Sequence, residues 1–126
     1  MNKIKQAIFR KSFKIVVLKD LSGECVIKFD IPFKLKEEHR EYYYLIDEIP
    51  DMINGINKID LNEEDLIVNI SYDNKKINLE YILKILDEAK EFIIEEWDYI
   101  KENNEDNLEQ LINELKIKFR NRISKY

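Results

Sequence analysis

Soft-metal and imidazole chemistry would both have to start here from single ligands, because the 126 residues contain one cysteine, Cys25, and one histidine, His39. A metal ion needs ligands that converge. His39 has Glu37 and Glu38 beside it but no second His or Cys near in sequence, so it reads as an exposed residue in the first turn of a helix. Cys25 lies in an alternating stretch on the predicted inward face, where a lone thiol serves as a small core hydrophobe. Nucleophilic chemistry is no better supplied. Ser12, Ser22, Ser71 and Ser124 fall in no elbow or Lys-paired motif, threonine is absent, and two glycines are too few for a phosphate-cradling loop. The expectation is a chain with no catalytic residue, no cofactor and no metal site.

Two further groupings invite a chemical reading. Glu88, Glu91, Glu95, Asp98 and Glu102 recur at steps of three and four, which lines them along one helix face. Di-metal carboxylate bundles use such helical acids, but with Glu-x-x-His pairs from partner helices, and no such pair exists here. A solvated acidic face is the better reading. Tyr42, Tyr43 and Tyr44, with Phe33, offer rings for base stacking, yet their segment is acidic, so single-strand binding lacks its electrostatic half. Direct nucleic-acid binding is not expected.

The elements follow from hydrophobic spacing. Met1 to Lys11 is a basic lead-in, with Ile4, Ala7 and Ile8 at helical spacing, that forms a short helix or frays; three small or medium apolar side chains bury too little area for a membrane-surface anchor. From Ser12 the period changes to two. Phe13, Ile15 and Val17 alternate with Lys14, Val16 and Leu18 as a partly buried strand. After the turn Leu21-Ser22-Gly23-Glu24, Cys25, Ile27, Phe29 and Ile31 form a second strand that Pro32 ends by withholding a donor. The pair is an antiparallel hairpin.

A first helix follows, with Glu37, Glu38 and Glu41 near its positive end. Tyr42, Leu45, Ile46, Ile49 and Ile53 form its stripe; Pro50 kinks it or starts a last short turn, and Gly55 stops it. Ile59 and Leu61, then Leu66, Val68, Ile70 and Tyr72, alternate as two strands joined by Asn62-Glu63-Glu64-Asp65, a turn without the usual Gly. A second helix starts near Asn78 and runs to about Lys101. Asn103 to Asn107 interrupt it, Asp106 and Glu109 supply a capping signature, and a third helix carries Leu108, Leu111, Ile112, Leu115, Phe119 and Ile123 on one face, with a basic end from Lys116 to Lys125.

Strand, helix, strand, strand, helix closes as a split β-α-β unit, read here with its first and third strands parallel and side by side. The leading hairpin strand fills the place left beside the first core strand, antiparallel to it. The predicted fold class is α+β, a ferredoxin-like four-stranded antiparallel sheet in which the leading strand replaces the last one, with two helices on one face and a C-terminal helix. Residues 1–11 form the lead-in, 12–102 the ferredoxin-like domain and 103–126 the helical extension.

Several stretches carry a family resemblance: VIKFDIPF, IDEIP, GINKIDLN, LIVNISYD and NLEYILKIL, from Cys25 to about Phe92. In this order they resemble a heavy-metal-associated domain, and KIVVLKDLSGECVIKFDIP looks like the branch with an extra leading strand. The resemblance covers somewhat over half the chain and implies the scaffold alone. Metal-binding members carry two cysteines in the loop after the first core strand, suited to a soft ion such as Cu(I). Here that loop, Pro32 to His39, has none.

Composition bounds the rest. At 44% hydrophobic and 37% charged the chain looks globular, and no apolar run approaches a membrane span. A lone cysteine and no signal peptide point to a reducing cytoplasm. The net charge of −5 hides a segregation: six bases and no acid in residues 1–19, five bases and no acid in 116–126, and ten bases against twenty-six acids between them. Such runs either keep a surface solvated or meet a charged partner. The expected function is a non-enzymatic protein-interaction module, its partner a protein, the chain itself included. The candidate surface is Glu88, Glu91, Glu95, Asp98 and Glu102 with Leu108, Leu111, Leu115 and Phe119. An acidic inhibitor or nucleic-acid mimic of a mobile-element type, and a single-cysteine metal-binding domain using Cys25 or His39, are the alternatives.

Overall fold

The computed structural model describes residues 2–30, 40–103 and 108–126. The loop Pro32 to His39, with Lys34, Glu37 and Glu38, lies outside these residues, as do Ile31 and the capping signature at Asp106; so do the side chains of Glu41, Tyr42, Tyr43, Tyr44, Leu45 and Leu108. In chain order the elements are α1 (Lys3–Ser12), β1 (Lys14–Leu21), β2 (Glu24–Asp30), α2 (Arg40–Met52), β3 (Ile56–Asn62), β4 (Ile67–Tyr72), α3 (Leu79–Glu95), α4 (Trp97–Asn103) and α5 (Leu108–Ile123). The chain is α+β, with a four-stranded antiparallel open sheet in the order β1-β2-β4-β3.

One expectation about this sheet is corrected. The first and third core strands, β2 and β4, are neighbours, but they run antiparallel, with Cys25 opposite Ile70 and Ile27 opposite Val68. The reason is the hairpin. β4 returns directly from β3 and so opposes it, and the strand that shares β2's direction is β3, which lies on the far side of β4.

Alternation decides which face is buried. Cys25, Ile27 and Phe29 on β2 and Val68, Ile70 and Tyr72 on β4 are buried, while Lys28 and Asn69 between them are exposed. The helices contribute to the same core: Phe9 from α1, Ile46 and Ile49 from α2, Ile82, Ile85, Ile93 and their neighbours from α3, Trp97 and Ile100 from α4, and Leu111, Leu115, Phe119 and Ile123 from α5. α2 packs on β3 and against α3, and α5 lies on α2, α3 and α4.

Local chemistry explains the boundaries. Asn2 caps α1, its side chain accepting the Lys5 N–H at 2.7 Å, and Phe9 of that helix enters the core against Phe13 and Trp97. The lead-in thus has an ordered helical part. Pro50 stays inside α2, where it cannot supply the hydrogen bond to the Ile46 carbonyl. Gly55 then adopts φ +112, which a side chain would resist, and a Cβ there would come within 3.2 Å of Ile77. In the glycine-free turn the left-handed position falls to Leu66 at φ 55; its side chain is buried and its carbonyl accepts the Phe29 N–H at 2.9 Å.

The helix expected from Asn78 to about Lys101 is two helices. Asn78 caps α3 as anticipated, accepting from the Tyr81 N–H at 2.9 Å. α3 then stops at Glu95, Glu96 leaves helical geometry at φ −92 and ψ 6, and Trp97 opens α4. The break brings Trp97 against Phe9.

Candidate interaction surface

β1 is the strand whose outcome differs most from its pattern. Phe13, just before the strand, is buried in the core, but within Lys14 to Leu21 only Ile15 packs against it and every other residue is exposed. Val16 is 40% exposed, Val17 38%, Leu18 52% and Leu21 49%. Val16 and Leu21 stand opposite exposed Lys28 and Glu24 on the outer face, and on the core face the reason is coverage. β1 is an edge strand whose one substantial neighbour among the described elements is β2, and no described helix is laid across it. Val17 stands opposite Ile27, on the core side of the sheet, and still meets solvent because the helical layer stops short of it.

The strand is also irregular. Val17 pairs with Ile27 but Lys19 pairs with Val26, so Leu18 is the extra residue of a bulge. Lys14 stands at one end, and Lys19 and Asp20 at the other. Single exposed apolar side chains are ordinary, whereas a run of them on one uncovered strand marks a contact surface.

The surface proposed from sequence is spent differently. Glu88 accepts from the Arg122 Nε at 2.7 Å and from the Tyr126 hydroxyl at 2.7 Å, and Arg122 also binds Glu95. Glu91 pairs with Arg10 at 2.9 Å. Burial works to raise the Glu88 carboxyl, but the hydrogen bonds from Arg122 and Tyr126 and the nearby positive charges outweigh it and hold Glu88 below the usual range. Elsewhere Lys118 reaches Glu96 at 3.3 Å, and Lys116 reaches Glu48 at 2.9 Å and Asp51 at 3.4 Å. The basic chain ends meet the acidic centre of their own chain. Asp98 and Glu102 are exposed. Leu111, Leu115 and Phe119 are buried, with the Phe119 ring tilted against Phe92 at a centroid distance of 5.4 Å. Of the nine residues, the structure thus turns Leu111, Leu115 and Phe119 inward and pairs Glu88, Glu91 and Glu95 with arginines of the same chain.

Cys25 is fully buried on β2. Burial first, then the charges of Asp20 and Glu24, push its thiol up to about 11, so at neutral pH it presents a protonated sulfur rather than a thiolate ligand. Among the described residues no group of three or more His, Cys, Asp and Glu side chains gathers as a metal site would require. Beside the β1–β2 turn a shallow groove of ≈ 500 Å³ is lined by Asp20, Ser22, Tyr72, Asn74, Asn78 and Glu80. Its serine hydroxyl accepts from the Asn74 amide.

Exposed β1 could have been found in the sequence only through a negative signal: apolar residues on both faces of a strand that nothing later in the chain is committed to cover. No helix among the described residues is long and apolar enough to cross a membrane. Comparison with protein-family models, with curated proteins and with solved structures found no match to this chain.

Proposed function

We propose that this chain is a non-enzymatic protein-interaction module that works through the uncovered side of β1, on a ferredoxin-like scaffold resembling a heavy-metal-associated domain without its metal site. The observation that carries the reading is the run Val16, Val17, Leu18 and Leu21, exposed on an edge strand across which no described helix is laid. Burying those side chains on a partner is favourable by roughly 25 cal/mol for each Å² of apolar surface removed from water.

The scaffold reading draws support from the position of β4 between β2 and β3, and from β1 standing beside β2 where a last strand would otherwise lie. The absence of metal chemistry draws support from Cys25, whose sulfur is enclosed and held protonated. A reducing cytoplasm suits that lone thiol. The interaction surface is β1 rather than the acidic and apolar faces of α3 and α5, since Glu88, Glu91 and Glu95 already have cationic partners within the chain. The same pairing removes the continuous row of free acids that an imitation of nucleic acid requires.

The test is capture from the native host with wild-type and Leu18→Lys chains as paired baits. A specific protein held by the wild type and lost with the variant is expected. Equal capture by both would remove β1 from the reading.

A further inference from the structure

α1 has two unlike faces. Phe9 is buried against Phe13 and Trp97, while Ile4, Ala7, Ile8 and Lys11, spaced at i, i+3, i+4 and i+7, share the outward face and are exposed. Ile4 is 75% exposed and Ile8 55%. Lys3 and Arg10 border this apolar strip on one side and Lys5 on the other, and no acid occurs in residues 1–19. We propose that the outward face of α1 seats on an anionic lipid surface, with Ile4, Ala7 and Ile8 toward the acyl chains and the flanking lysines at the headgroup phosphates. It uses residues other than those of β1 and is independent of the reading of that strand.

Charge selects this occupant first. The C-terminal basic end is spent within the chain: Lys116 on Glu48 and Asp51, Lys118 on Glu96, and Arg122 on Glu88 and Glu95. In α1 only Arg10 is so used, paired with Glu91, whereas Lys3 and Lys11 are exposed and hold no ion pair among the described residues. A face of one sign complements a surface of the other sign, and the cytoplasmic leaflet of a membrane is such a surface. The isoleucines then decide between polyanions. They have no counterpart on the phosphate backbone of a nucleic acid, while the headgroup and acyl boundary of a bilayer takes up the apolar side of a helix lying in its plane.

Ile4, Ala7 and Ile8 bury too little area to hold a membrane by themselves. Charge supplies the rest, each lysine brought to an anionic surface strengthening binding by about five-fold. α1 is already folded, capped by Asn2 and fixed to the core through Phe9, so seating it costs no helix formation. The outcome is a reversible attachment that depends on acidic lipid.

Co-sedimentation of the full chain with vesicles tests this, with phosphatidylcholine alone and with an equal mixture of phosphatidylcholine and phosphatidylglycerol. Binding to the mixed vesicles at low salt, release as salt rises and no binding to phosphatidylcholine are expected. Lys3→Gln and Lys11→Gln should each weaken binding by about five-fold. Ile4→Gln combined with Ile8→Gln should weaken it by about ten-fold or more and leave the circular dichroism spectrum unchanged, since neither side chain belongs to the core. Leu18→Gln, on β1, should bind as the wild type does. No binding to the mixed vesicles, equal binding to both compositions, or a loss with Leu18→Gln matching that of the isoleucine pair would overturn the proposal. Binding that falls with the lysines but survives loss of both isoleucines would also overturn it, because charge alone would then be bringing the chain to any polyanion. A chain that ignores vesicles and captures a host protein in a Lys11-dependent way would put an acidic protein surface in place of the lipid.

Discussion

The two edges of the sheet are built from similar residues and end in opposite states. β3 spaces Ile56, Ile59 and Leu61 so that α2, lying across it, takes them into or against the core, and only polar residues remain outside. β1 has five apolar residues to the three of β3; Val16 and Leu21 stand opposite exposed Lys28 and Glu24 on the outer face, Val17 on the core face lies beyond the described helices, and all three stay in water with Leu18. Exposure here follows both from the face a residue takes and from what lies above that face.

Substitutions at the two edges should separate these states. The largest effect belongs under the covered edge. Ile49, fully buried on α2, should cost about 2–5 kcal/mol of unfolding free energy as Ile49→Ala, measured by urea denaturation, because the cavity cannot collapse. Cys25, one strand in from the uncovered edge, tests whether exposure stops at β1. Its thiol is raised in the folded state, so it adds stability below its unfolded value of 9.0 that is lost as pH climbs toward about 11. Cys25→Ala should lose about 2–3 kcal/mol less than wild type over that range. A thiol that reacts with alkylating reagent as fast in the native protein as in urea would contradict the enclosure.

Smaller effects concern what holds the covering layer. Arg122 ties α5 to α3 through Glu88 and Glu95, and Arg122→Gln should cost about 1–2 kcal/mol, reduced from a buried pair by partial exposure. Glu88, held below its usual range, adds stability above its unfolded value of 4.5 that is lost as pH falls through the lower folded value. Glu88→Gln should therefore flatten the acid limb of a denaturation curve recorded from pH 4.5 downward. The smallest effect belongs to the open edge: Val16→Thr should change the stability of the monomer by less than about 0.5 kcal/mol, since it removes no internal packing. A large loss there would mean that β1 is covered after all.

Much of this could be read in advance. Alternation located β2 and β4 and named Cys25, Ile27, Val68 and Ile70 as their inward residues, because a buried face leaves a period of two in the chain itself. Asn78 and Gly55 marked a helix start and a helix end through local backbone chemistry. The candidate surface was less legible. The acids of α3 formed a clear helical face, but periodicity does not say what lies opposite it, and Arg10 and Arg122 are 81 and 34 residues away from the acids they bind.

Neighbours along the chain were enough to set the element types, the inward faces of the two central strands and the lack of a second soft ligand beside Cys25, since each of these depends on short stretches of residues. Long-range packing alone settled that β2 and β4 run antiparallel, that the basic ends close over the acidic centre, and that the described helices stop before β1. Those outcomes depend on which surfaces are left once the larger apolar faces have packed, and no local pattern records what remains.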